Sequence, residues 1–186
     1  MKKVVLMFCA FLLLTMNQAF AYRMSDFSAD TKIQAAMRVL EEAGEVDVFR
    51  NLQRNSVRIK FDDLSMVAYN SHKCFAVSTY NQYDRRVILI NSKYKNAPAE
   101  QIACLIAHES CHMLRMATLE EETTATQKEA ACWARLKVAS KTYPDSSLTR
   151  RLDKLAGLYL ASDSNNNYVE QKIADSSFYR SQLGLN

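Results

Sequence analysis

Glycine and proline are nearly missing from this 186-residue chain, which has three of the first and two of the second. Collagen-like, low-complexity and turn-dense all-β architectures need far more of both and are excluded. A cationic cluster is missing as well. The formal charge is +4, Lys2 and Lys3 carry two of those charges, and elsewhere Arg85-Arg86 and Arg150-Arg151 are only pairs. The chain therefore lacks an electrostatic footprint for nucleic acid, and no nucleic-acid partner is expected. No C-x-x-C pair occurs, which removes zinc ribbons and thioredoxin-like motifs. Histidine is scarce, at three residues. What is present is ordinary globular material, 48% apolar and 24% charged. It suffices for one domain of about 165 residues once a leader is set aside.

That leader reads in three zones: Met1-Lys2-Lys3, the apolar run Val4 to Met16, and Asn17-Gln18-Ala19-Phe20-Ala21. A positive start, a short apolar core and an A-x-A ending mark a secretory signal peptide cleaved after Ala21. The apolar run falls short of the roughly 20 residues that span a bilayer, so no stable membrane insertion is expected after cleavage. The expected organisation is a leader at 1–21 and a single domain at 22–186, secreted or periplasmic. Export also changes the meaning of the cysteines. Cys9 leaves with the leader, and Cys74, Cys104, Cys111 and Cys132 remain, an even number in an oxidising compartment.

Along the domain, Asp30 to Ala43 places Ile33, Ala36, Met37 and Leu40 at helical spacing, with Gly44 as the stop. Val46 to Leu52 continues as a short helix. Val57 to Phe61 alternates strictly, Met66 to Tyr69 and Cys74 to Tyr80 are rich in β-formers, and Arg86 to Ile90 is nearly continuous apolar sequence. These runs predict a small, mostly antiparallel sheet of three or four strands. Pro98 then opens a helix to about Arg115. Thr118, with Glu121 three positions on, forms a capping-box pattern for a helix from Leu119 to about Ser140. Leu148 to Leu160 and Tyr168 to Leu183 are further helices. The fold class is α+β.

The chemistry sits at His108-Glu109-Ser110-Cys111-His112, an H-E-x-x-H motif on a predicted helix. Residues four apart share a helix face about 6 Å apart along the axis, so two imidazoles can grip one small cation, usually Zn²⁺. Glu109 is placed to reach a water on that cation and to act as general base in peptide-bond hydrolysis.

Here the sequence resembles a family. Arg86-Val-Ile-Leu-Ile-Asn91, Leu105-Ile-Ala-His-Glu-Ser-Cys-His112, Leu119-Glu-Glu-Glu-Thr-Thr-Ala125 and Trp133 look like a small gluzincin metallopeptidase, over roughly residues 86–137. The resemblance implies an edge strand bordering a cleft, two histidine ligands from one helix and a glutamate ligand from the next. It also implies one zinc ion per chain and a peptide or protein substrate. The metzincin extension is absent, because positions 115 and 118 are Arg115 and Thr118. His72, the remaining histidine, reads as an ordinary surface residue.

A third ligand follows from hairpin geometry. If one helix ends near Arg115 and the next starts near Leu119, residues whose numbers sum to about 234 lie level. His112 then faces position 122 and His108 faces position 126. Glu122 has the right height and lies on the stripe of Leu119, Thr126, Glu129 and Trp133. The expected ligands are His108, His112 and Glu122, with Glu129 and Glu121 as alternatives. The same register puts Cys104 within about one turn of Cys132, and a Cys104–Cys132 disulfide is expected. Cys74 and Cys111 would then be bonded to each other or free, and four reduced thiols are the alternative. Tyr143, Tyr159 and Tyr168 are candidates for stabilising an oxyanion. A non-catalytic zinc-stabilised binding domain is the competing functional reading.

Overall fold

The computed structural model describes residues 22–64, 74–112 and 118–182. The leader, the expected strand at 66–69, His72, Met113 and Met116 lie outside them. Two helices open the domain, α1 at Thr31–Glu42 and α2 at Val46–Arg54. Asp30 caps α1 by accepting the Lys32 amide at 2.8 Å, which satisfies one of the orphan donors of the first turn. Gly44, at φ +74°, ends it in the left-handed region that costs glycine least, and the Glu45 amide returns to the Leu40 carbonyl. The buried faces carry Ile33, Met37 and Leu40 from α1 and Val48, Phe49 and Leu52 from α2.

Three strands follow: β1 at Arg58–Asp62, β2 at Ala76–Tyr80 and β3 at Arg86–Asn91, in the order β1-β3-β2. β2 and β3 pair antiparallel, with Ser78 opposite Ile88. β1 and β3 pair parallel, with Ile59 opposite Ile88. The sheet is therefore mixed rather than mostly antiparallel. β3 is its central strand and not an edge, which explains why every residue from Arg86 to Asn91 is buried and why the run is continuously apolar rather than alternating. The edge strand that meets the functional residues is β2.

The helices after the sheet are α3 at Ala99–Glu109, α4 at Leu119–Leu136, α5 at Ser147–Ala161, α6 at Tyr168–Ala174 and α7 at Ser177–Gln182. α3 packs against α1, the sheet and α4, and every residue from Gln101 to Glu109 is buried. An α+β domain results, with α3 as its central rod. The final helix expected from Tyr168 onward is broken at Asp175-Ser176 into two short pieces. Among the described residues no helix is long and apolar enough to cross a membrane.

The cysteines depart from expectation. Cys104 and Cys132 do face each other across α3 and α4, close enough for a thiol–thiol hydrogen bond, yet Cys74, Cys104, Cys111 and Cys132 are all free thiols. The helix register brings the two sulfurs together without a covalent bond. Cys74 and Cys111 are likewise unbonded, and burial pushes each thiol up to about 11, so neither is a reactive thiolate near neutral pH.

Candidate metal centre

α3 ends at Glu109, earlier than the sequence suggests. The Cys111 and His112 amides then bond back three residues, to the His108 and Glu109 carbonyls at 3.0 and 3.3 Å. This tightened last turn carries His112 beyond the helix while keeping it beside His108, with ring centroids 5.1 Å apart. Asn51 of α2 donates to the Ser110 carbonyl at 3.2 Å and ties the turn to the N-terminal helices.

α4 begins with Thr118, whose hydroxyl accepts the Glu121 amide at 3.1 Å. Its first three turns place three carboxylates against the two imidazoles, each in a different position. Glu122 faces the Nε2 atoms of both histidines, at 3.8 Å from each. Glu129, two turns further, reaches Nδ1 of His108 at 3.1 Å. Glu121 approaches Nδ1 of His112 at 3.5 Å. The register predicted from the sequence holds, and the three glutamates weighed for one role occupy three separate places. One ligand atom each from His108, His112 and Glu122 lies within 4.8 Å of the others, a group that could hold a metal ion. Glu109 sits beside them, 3.9 Å from Nε2 of His112, and accepts the backbone N–H of Ser78 on the outer edge of β2.

The electrostatics separate these carboxylates. Burial pushes Glu109 up to about 7, and the neighbouring Glu122 and Glu129 add to the effect against the pull of His108. Burial likewise raises Glu122, reinforced by Glu121 and Glu129. Glu129 goes the other way. Burial opposes its ionisation, but Arg151 of α5 grips it through Nε at 3.1 Å and Nη2 at 2.8 Å, and the carboxyl is held down at about 2. His112 is driven down to about 4, by burial first and by His108 second, and so is neutral at pH 7. A neutral imidazole is the form that binds a metal.

Arg151 and Tyr179 are the residues sequence reasoning missed. Arg151 lies over the ring of Phe75, 5.3 Å from its centroid, and donates to the Tyr179 hydroxyl. A signal for Arg151 did exist: with Leu148, Leu152 and Leu155 buried, position 151 falls on the inward stripe of α5, where a charge needs a partner. The tyrosines singled out from the sequence lie elsewhere. Tyr143 packs on Trp133, with centroids 4.8 Å apart, and Tyr159 and Tyr168 are exposed. Two surface cavities, of about 340 and 430 Å³, flank Tyr22 rather than the histidines. Comparison with protein-family models, curated proteins and solved structures finds no match for this chain.

Proposed function

We propose that this protein is an exported zinc-dependent peptidase in which His108, His112 and Glu122 hold the metal and Glu109 is the general base. One observation carries the reading. Glu122 is a buried carboxylate whose oxygens meet two imidazole nitrogens at 3.8 Å, a separation too long for hydrogen bonds. Ligand atoms of a tetrahedral zinc at about 2.0–2.2 Å from the ion stand roughly 3.3–3.5 Å apart, and one atom from each of the three residues already lies within 4.8 Å of the others, so side-chain adjustment of about 1.5 Å at most closes the set. Two nitrogens and one carboxylate oxygen are also the donor set of catalytic zinc sites, which leave a fourth position for water or substrate.

Zinc held there supplies Lewis acidity and an acidified water. The chain's own residues do the rest. Glu109 takes the proton of the attacking water and passes it to the leaving amine, a task its place beside the ligand set allows. The Ser78 amide fixes the Glu109 carboxylate, and Glu129 and Glu121 brace the outer nitrogens of the two ligand histidines. The substrate would be a peptide or protein, and the signal-peptide pattern of residues 1–21 supports action outside the cytoplasm.

A second reading is favoured by one feature. The side chains of His108, Glu109, His112 and Glu122 are only 5–11% exposed, as in closed structural zinc sites that stabilise a binding domain. Zinc content and hydrolysis of a broad peptide library, measured on wild type and Glu109→Gln, separate the two. The peptidase reading expects about one zinc per chain in both proteins, with turnover falling about 10²–10⁴-fold in the variant. Wild-type turnover in Glu109→Gln contradicts the mechanism, and zinc in both with turnover in neither establishes the structural site.

A further inference from the structure

The contact between His108 and Glu129 does not end at Glu129. Oε2 of Glu129, 3.1 Å from Nδ1 of His108, also accepts Nη2 of Arg151 at 2.8 Å, while Oε1 accepts Nε at 3.1 Å. Two parallel bonds fix the plane of the carboxylate, and Arg151 is itself fixed by the Phe75 ring and the Tyr179 hydroxyl. Tyr179 belongs to α7, which follows the Ser162–Asn167 linker and the short helix α6. α6 seats Val169 and Ile173 against α4 and α5.

We propose that Tyr179 is a positioning residue for the metal site, so that docking of the C-terminal helices and metal capture are coupled through Tyr179, Arg151, Glu129 and His108. A neutral histidine carries its proton on one nitrogen and offers the other as ligand. A carboxylate against Nδ1 keeps the proton there and turns the Nε2 lone pair toward Glu122 and the cation. Nδ1 of His108 is buried, and Glu129, at 3.1 Å, is the acceptor it faces, so the aim of the Glu129 carboxylate, set by the Arg151 clamp, sets the ring. Without Tyr179 the guanidinium loses one of its restraints, Glu129 loses part of its aim, and His108 spends less time in the binding orientation. Linkage makes the effect reciprocal: a metal that gains affinity from a docked α7 must hold α7 down more firmly when bound.

This coupling rests on the metal-site reading, and two measurements keep their failures apart. The first is the zinc dissociation constant of the full chain, by competition with a chromogenic chelator. Tyr179→Phe should weaken binding about 10-fold, at the low end of the effect of outer partners of metal ligands. Arg151→Lys should weaken it further, and Tyr168→Phe, an exposed residue on the same segment, should match wild type. The second is hydrogen exchange of wild type with and without zinc, in which zinc should slow the amides of residues 177–182. Wild type that binds zinc while Tyr179→Phe binds it equally well, or zinc that leaves the exchange of 177–182 unchanged, overturns the coupling alone. Wild type that takes no zinc overturns both the coupling and the reading beneath it.

Discussion

Helix α4 carries two charged faces, and they solve the problem of buried carboxylates in opposite ways. On its outer face Lys128 reaches Glu45 and Asp47, each at 2.6 Å, and Arg135 reaches Glu45 at 2.8 Å. Every acid there has a fixed cation in direct contact, and the cluster pins α4 to the start of α2. On the inner face Glu109 and Glu122 are as buried as Glu45, but the side chains that face them are imidazoles at 3.8–3.9 Å. Glu129 alone has a guanidinium in contact. Acids matched by lysine and arginine hold a fold together. Acids left facing imidazoles, with no fixed cation in direct contact, oppose it, and a fold keeps such a group where a cation arrives from outside.

The largest expected effect breaks the one inner acid that is paired. Glu129→Ala leaves Arg151 charged and without its carboxylate beside the core, and should cost about 3–5 kcal/mol in urea unfolding. The pairing also has a pH signature. Glu129 is held at about 2, below its ordinary 4.5, so the folded chain releases this proton more readily than the unfolded one. Its contribution is present above pH 4.5 and disappears as pH falls toward 2. Wild type should lose stability over that window and Glu129→Gln should lose less. Equal acid limbs for the two would contradict the assignment.

Glu109 should behave in the opposite sense. Its folded value of about 7 lies above the ordinary 4.5, so the folded state binds the proton more tightly. The resulting stability is full below about pH 4.5 and is lost as pH rises through 7. With a strong chelator present, Glu109→Gln should therefore be more stable than wild type at pH 8, by on the order of 3 kcal/mol at most. The gain should vanish by pH 4. A variant that is less stable than wild type at pH 8 would show that Glu109 is already satisfied by its surroundings.

The outer face should give the smallest response. Lys128→Met removes a partly exposed cation from two acids, and should cost about 1 kcal/mol or less, shrinking further in high salt. Zinc affinity should not change. A large loss of zinc binding in this variant would mean that the two faces of α4 are not independent.

How much of this was legible beforehand depended on the distance over which the information is stored. The H-E-x-x-H spacing is local, and so is the stripe that puts Glu122, Thr126, Glu129 and Trp133 on one face of α4. A short link between α3 and α4 turns those patterns into a register, which is why His112 met Glu122 as expected. The division of labour among Glu121, Glu122 and Glu129 was not legible, because it depends on which nitrogen of each ring faces the helix. Helix ends misled in a physical way. The periodicity runs past Glu109, but the chain tightens there to aim His112. The parallel pairing of β1 with β3 and the Arg151–Tyr179 contact join segments more than twenty residues apart, which no local periodicity encodes. Cys104 and Cys132 show the remaining limit, since register predicts that two thiols meet and says nothing about whether they oxidise.

One measurement bears most directly on the central claim that His108, His112 and Glu122 form a metal site. Zinc bound per chain and its dissociation constant should be determined for wild type, Glu122→Ala and Glu121→Ala, purified without chelators. The account predicts one zinc per wild-type chain, binding that is nearly abolished in Glu122→Ala, and a loss of no more than about 10–100-fold in Glu121→Ala, whose carboxylate only braces His112. A wild-type chain without zinc, or a Glu122→Ala chain that holds it as tightly as wild type, would contradict it.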